Sequence, residues 1–349
     1  MSTTLDSPRL SFLDLLRFLS AFSVMLFHYT FCGFERFTNF RHEEIGNIFK
    51  YGYLGVNSFF ILSGFLIALS AQNKTAWEFV TARISRLFPA YWAACIIIYV
   101  AVSLWGNVAL QVSEKTFFLN LTMIPTLFKA KFMSSVFWTL LEEIRFYFMA
   151  TMVLFFFGYK RFENFIFIWT LICVANYFFR NHYIEYFFRT FWGPYFILGA
   201  LYYMAYKSGW NWQRALAAGC MLFLALAYSY SRINGIAENY NTVFNPLIDG
   251  AIIAGINIIF ILFSLGYFKM NTPKTYLLGC LTYAFYLVHE PLGYIIFNNF
   301  DIKNPTLELL LAIGVSVTVS LLIYYIAEKP GGRFLKKILN KKKSENISG

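Results

Sequence analysis

The chain has 349 residues, of which 58% are hydrophobic and only 13% charged, against roughly 25% charged in soluble domains; its mean hydropathy is +0.55. These values exclude an ordinary soluble domain and imply an all-α, polytopic membrane protein. The net charge of +11 would suit a nucleic-acid binder, but its distribution along the chain follows membrane topology, so no nucleic-acid partner is expected.

In chain order, apolar stretches long enough to cross a hydrocarbon core of roughly 30 Å as helices lie at 11–31, 52–71, 87–105, 137–158, 163–180, 188–206, 213–230, 247–266, 275–297 and 306–327. The sequence thus predicts about ten transmembrane helices in one membrane domain over 1–349, with a core at about 10–328 and a basic tail at 329–349. The first stretch is too long for a signal-peptide core, and no small-x-small site follows His28-Tyr29-Thr30, so it is expected to stay in the mature protein. With both termini cytoplasmic, the inner face collects Arg9, Lys74, Arg83, Arg86, Lys160, Arg161, Lys207, Arg214, Lys269, Lys274 and the seven basic residues from Lys329 to Lys343. That is about 17 basic residues inside against about 10 outside, the bias of a multi-pass protein of the cell (inner) membrane. The tail "RFLKKILNKKK" also suits contact with anionic membrane lipids.

The longest outer connections are then 32–51, 106–136 and 231–246, which makes the outer face the docking side for a bulky partner. Within the second, "FFLNLTMIPTLF" is apolar but broken by Pro125 and predicts an interfacial or re-entrant helix. The abundant Phe and Tyr read as lipid-facing and interfacial surface. Cys32, Cys95, Cys173, Cys220 and Cys280 are scattered, so neither a disulfide framework nor a metal site is expected.

An ionisable side chain near mid-bilayer costs roughly 2.5 to 3.5 kcal/mol on insertion scales and normally faces the bundle interior. In "FLDLLRFLSAFSVMLFHYT", Arg17 and His28 are eleven residues apart. That is roughly 16 Å of rise and leaves them within about 20° of one face. Asp14, three residues before Arg17, can pair with it; His28 has no local partner. In "SVFWTLLEEIRFYF", Glu142 can pair with Arg145, whereas Glu143 shares another face with Thr139 and Tyr147 and lacks a local counter-ion. A carboxylate so placed is a candidate functional group, expected at about the depth of His28.

Further along, "LGCLTYAFYLVHEPLGY" brings Tyr283, Tyr286 and His289 at steps of three, with Glu290 adjacent and Gly279 and Gly293 extending a face suited to close helix packing. Asn57 and Ser63-Gly64 lie in the aromatic second helix. Arg83 and Arg86, at i and i+3 in "ARISRLFPAYW", sit at the inner boundary, where paired guanidinium groups suit phosphate oxygens.

Together these residues resemble acyltransferase family 3, bacterial integral-membrane enzymes that acylate, most often O-acetylate, cell-surface glycans. The resemblance spans about residues 10–335 and rests on "LDLLRF" with Arg-x10-His, "GYLGVNSFFILSGFLI" with Phe59, Phe60, Ser63 and Gly64, "RISRLFPAYW", "FWTLLEEIRFY", "LTYAFYLVHEP" and "IAEKP". Spacing from Trp138 puts the family's glutamate at Glu143, while Asn57 stands where relatives often have Asp. The resemblance implies acetyl-coenzyme A as co-substrate, no tightly bound cofactor, and a glycan or lipid-linked glycan as acceptor. It makes His28 the catalytic residue, as general base or acyl carrier, oriented or charged by Glu143. Arg83 and Arg86 would hold the donor's phosphates, and Arg17, Ser63, Tyr283 and Tyr286 would stabilise an oxyanion or line the donor channel. Asp14, Trp138, Tyr147 and His289 are secondary candidates. The residues alone also fit a transporter or flippase in which His28, Glu143 and His289 relay protons.

Overall fold

The computed structural model describes residues 10–34, 36–268, 275–300 and 302–348, with side chains to 341. Arg9, Lys269, Lys274 and the side chains of Lys342 and Lys343, counted above as inner charges, lie outside the described residues. The described chain is 82% helical without strands. Its helices are α1 (Ser11–Phe27), α2 (Glu43–Phe49), α3 (Gly55–Ala71), α4 (Ala76–Trp105), α5 (Glu114–Asn120), α6 (Phe137–Phe156) and α7 (Phe162–Phe179). They continue with α8 (His182–Phe188), α9 (Gly193–Ser208), α10 (Trp212–Asn239), α11 (Pro246–Ser264), α12 (Thr275–Asn299), α13 (Pro305–Leu322) and α14 (Lys329–Ser348).

Each of the ten predicted spans is occupied by a helix, and seven of these are long and apolar enough to cross a membrane. The other three are α6, α9 and α12. α9 has 16 residues and is buried continuously from Gly193 to Ala205, as expected of a helix apolar all round. The hydropathy of α6 is lowered by Glu142, Glu143 and Arg145, and that of α12 by Tyr283, Tyr286, His289 and Glu290. Polar groups thus lower the apolarity of α6 and α12, while α1 and α4 carry Arg17, Arg83 and Arg86 within otherwise apolar spans.

α4 begins eleven residues before the predicted 87, at Ala76. A reciprocal cap fixes this start: Glu78 N donates to Thr75 Oγ1 (3.3 Å) and Thr75 N to Glu78 Oε2 (3.1 Å). Its 30 residues span roughly 45 Å, more than a hydrocarbon core, so Arg83 and Arg86 stand on a helix rather than a loop. The segment after α4 folds back along it. Tyr91 Oη donates to the Asn120 carbonyl (2.8 Å) and Trp92 Nε1 to that of Leu121 (3.0 Å), some 20 Å of helix rise inward from Trp105. The expected single helix is instead α5 followed by a 3-10 turn at Pro125–Phe128. Asn120 supplies the turn with partners through Lys131 O and Met133 N.

The three long connections meet on one face. Asn107 and Asn298 both donate to Phe37 O, Lys50 to Val243 O, and Arg36 to Asn239 O. Contacts at the opposite end join Gln72 to Tyr203 and Arg214 to Glu163, Met204 and Gly209.

α3 and α9 form the densest helix pair, because their backbones touch. A Cβ on Gly64 would lie 2.0 Å from Phe196 O, and one on Gly199 would lie 1.9 Å from Ile61 O. Small residues admit this approach. On α12 the expected close packing is also present, with Gly279 against Asp14 and Gly293 against the Tyr29 ring. Gly199→Leu is expected to cost at least about 3 kcal/mol and to remove the folded monomer from a size-exclusion profile in detergent. Gly255→Ala, where nothing lies within 4 Å, should be neutral or slightly stabilising; equal behaviour of the two variants would contradict the backbone contact.

Candidate active site

Two chambers lie in the bundle, one lined by α1, α3, α4, α6 and α12 and the other by α1, α3, α6, α10 and α12. The first, called inner from the topology expected above, has about 70 Å³ and is lined by Arg17, Ser63, Arg83, Arg86, Thr139, Glu143, Tyr147, Tyr283 and Tyr286, with Phe59, Phe60, Leu66 and Leu140 as apolar wall. Glu143 accepts from Ser63 Oγ at 2.8 Å and from Tyr147 Oη at 2.5 Å. The Arg83 guanidinium lies 5.5 Å from the ring centroids of both Phe79 and Tyr147, and its buried Nε has no hydrogen-bond partner. Three guanidinium groups therefore share this chamber with one carboxylate, and Glu328, which acts electrostatically on Arg86 and Arg17, brings a second carboxylate nearby. The balance stays positive. Outside the spans, burial first and then Arg83 and Lys336 pull the Lys74 ammonium below its ordinary pKa.

The outer chamber, about 280 Å³, is lined by His28, Tyr53, Ser135, Trp138, Trp192, Arg232, Tyr240 and Tyr286, with Val24, Phe27 and Val136. Here α1 passes into a π-helical turn over His28–Cys32, a widening frequent at functional sites. His28 Nδ1 lies 3.1 Å from Nε2 of His289, which is fully buried behind it. His289 Nδ1 lies 2.9 Å from Tyr286 O and 3.3 Å from Phe285 O. A carbonyl can only accept, so His289 carries its proton on Nδ1. With both rings neutral, His289 Nε2 must accept from His28 Nδ1–H, which leaves the His28 Nε2 lone pair without a hydrogen-bond partner among the described residues. These tautomers follow from the partners, and they make Nε2 available to a ligand.

α12 is tied to the outer segment by Glu290. Its carboxylate, 4% exposed, accepts from Ser134 Oγ (2.6 Å), Ser135 N (2.8 Å) and Ser135 Oγ (2.6 Å). Tyr29 Oη donates to the His289 carbonyl at 2.6 Å. The imidazole pair is thus fixed from both sides.

The structure brings Arg17, Ser63, Arg83, Arg86, Glu143, Tyr147 and Tyr283 into one chamber, and His28 and Trp138 into the other; Tyr286 lines both. Several expected pairings differ. Glu143 does not orient His28: its bonds go to Ser63 and Tyr147, and His28 is paired with His289. Nor do the two share a chamber, because the face that carries Arg17 and His28 runs past Tyr286, which divides it. Thr139 bonds Tyr286 Oη (3.0 Å) rather than Glu143. Asp14, buried against Gly279, lines neither chamber, and its charge acts on Arg17 as their spacing allows. Glu142 pairs with Arg145 (3.0 Å) as its spacing allows, and also takes two bonds from Arg189 (2.6 and 2.8 Å). Asn57 Nδ2 donates to Tyr195 Oη (3.1 Å), a core contact. Arg232, Trp192 and the Glu290 bridge were absent from the sequence expectations; the only signal for Arg232 was a basic residue at the start of an outer connection.

The model of the family described as "Acyltransferase domain", acyltransferase family 3, matches residues 10–325. The chain belongs to acyltransferase family 3. Neither a curated protein nor a solved structure gives a match. Family membership and the apolar helices together make this acyltransferase family 3 member a multi-pass membrane acyltransferase. Glu290→Ala would leave three donors unpaired and is expected to cost at least about 2 kcal/mol, with Glu290→Gln milder because its amide oxygen still accepts. Melting temperatures in detergent should fall in that order; an unchanged Glu290→Ala value would contradict the bridge.

Proposed function

We propose that this membrane acyltransferase moves an acyl group, with acetyl the expected one, from acyl-coenzyme A to a hydroxyl of a cell-surface or lipid-linked glycan. The enzyme would sit in the cell's inner membrane with both termini cytoplasmic. The observation that carries the reading is the His28 Nε2, without a hydrogen-bond partner among the described residues and facing the outer chamber, with a positively charged chamber on the other side of Tyr286.

Phosphates of the donor suit Arg83 and Arg86, since Arg86 is exposed, Arg83 has an unused buried Nε, and Lys74 adds charge near Arg83. The inner chamber of about 70 Å³ holds only about two waters' worth of space. The nucleotide therefore stays at the mouth, and the thioester end enters between Phe59, Phe60 and Leu140. Glu143, held by Ser63 and Tyr147, keeps the guanidinium groups of this chamber partly neutralised, a positioning role in place of the His28 contact expected from the sequence. The thioester reaches His28 by displacing the Tyr286 ring, whose hydroxyl bonds only Thr139 among the described residues.

In the transfer step the acceptor hydroxyl gives its proton to His28 Nε2 as its oxygen bonds to the thioester carbonyl carbon. The carbon–sulfur bond then breaks, and the departing sulfur takes that proton and leaves as the thiol. His289, through Nδ1–H bonded to the Tyr286 carbonyl, holds the His28 ring in the tautomer this requires. General-base help of this kind is worth about 10² to 10⁴ in rate. Purified protein given acetyl-coenzyme A should release thiol, and His28→Ala should lower that rate about 100-fold or more in protein that still elutes as a folded species in detergent, with a melting temperature lowered only by the partner that His289 loses. Wild-type release by the variant would overturn the assignment.

A further inference from the structure

Arg232, on the outer end of α10, lines the chamber of His28 but has no part in the chemistry above. Its guanidinium carbon stands 4.9 Å from the ring centroid of Trp192 and 5.6 Å from that of Tyr53. Among the described residues no carboxylate lies within ion-pairing distance of it. The carboxylate on the neighbouring helix, Asp249, is 2% exposed, and both of its oxygens are engaged. Tyr53 Oη donates to Oδ1 at 2.5 Å and Ser229 Oγ to Oδ2 at 2.6 Å. Among the described residues no Asp or Glu lines the outer chamber. A guanidinium stacked on aromatic rings, with its N–H groups free toward a cavity, is preorganised for a bidentate anion.

We infer that the outer chamber recognises an acceptor carrying an anionic group, a carboxylate or a phosphate, which Arg232 binds while Trp192 and Tyr53 flank it. The anion would hold the adjoining sugar so that one hydroxyl meets His28 Nε2. At about 280 Å³ the chamber is at the small end of ligand pockets, enough for one sugar unit. Trp192 also walls a larger open groove of about 540 Å³ that runs past Arg180, His182 and Tyr228, so a longer chain continues outward from the bound unit. Arg36, over the Tyr240 ring at 4.5 Å, adds positive charge near the chamber without a carboxylate ion pair of its own among the described residues.

This inference rests on the reading of the outer chamber as the acceptor's, and its test needs no donor. Saturation-transfer NMR on the full chain in detergent would use methyl β-D-glucuronide, glucose 1-phosphate and methyl β-D-glucoside as probes. Binding of at least one anionic probe about tenfold or more tighter than the neutral glucoside, lost in Arg232→Gln and partly kept in Arg232→Lys, supports it. Which anionic probe binds tells carboxylate from phosphate. Equal binding of all three, binding by none, or unchanged affinity in a folded Arg232→Gln overturns it. Should Arg232→Gln fail to fold, Arg232→Lys and the salt dependence of wild-type binding decide, with salt-insensitive binding counting against the inference. Loss of anion preference with His28-dependent thiol release intact rejects only this inference. Anion binding without any thiol release rejects only the transfer reaction.

Discussion

The hydrogen bond between His28 and His289 is the contact on which the rest of the site depends. It closes only because α1 and α12 approach closely, with Gly279 and Gly293 in place of side chains that would strike Asp14 and Tyr29. The carbonyl of Tyr286 sets the proton position on His289, His289 sets it on His28, and His28 is left with an acceptor nitrogen toward the outer chamber. A substitution that separates these helices would therefore act on the chemistry without touching either ring.

The two chambers solve a problem posed by the membrane. Charged groups buried among apolar helices must find partners or water. Here they are gathered in cavities lined by α1, α3, α4, α6, α10 and α12. Tyr286 belongs to both chambers, so in the proposed reaction a donor held at the inner one and an acceptor held at the outer one would meet only where that ring moves. Water in one chamber would thereby be kept from a thioester in the other until the ring is displaced.

Much of this was legible in the sequence. Periodic apolar runs located the helices of all ten predicted spans, and helical spacing assigned Arg17, Glu143, Tyr283 and His289 to inward faces. Contacts within one helix, such as Glu142–Arg145 and Glu143–Tyr147, followed from i+3 and i+4 geometry. Contacts between helices did not. The partner of His28 is 261 residues away, and helical spacing holds no information about which inward faces meet. The resemblance, with a similar estimated depth, joins Glu143 to His28, whereas in the fold Glu143 bonds Ser63 and Tyr147 and shares its chamber with Arg83 and Arg86 of α4. Arg232 passed as a topological charge because its stacking on Trp192 and the engagement of Asp249 by Tyr53 and Ser229 depend on helices distant in sequence.

The protonation pattern of the imidazole pair is the point where the account is most exposed. Nitrogen-15 chemical shifts of histidine-labelled protein in lipid discs, with His42 and His182 replaced so that only His28 and His289 report, distinguish the two ring tautomers. The account predicts that both rings carry hydrogen on Nδ1 and that the His28 Nε2 signal is of the unprotonated type. A hydrogen on His28 Nε2 would leave no acceptor for the incoming hydroxyl and would contradict it.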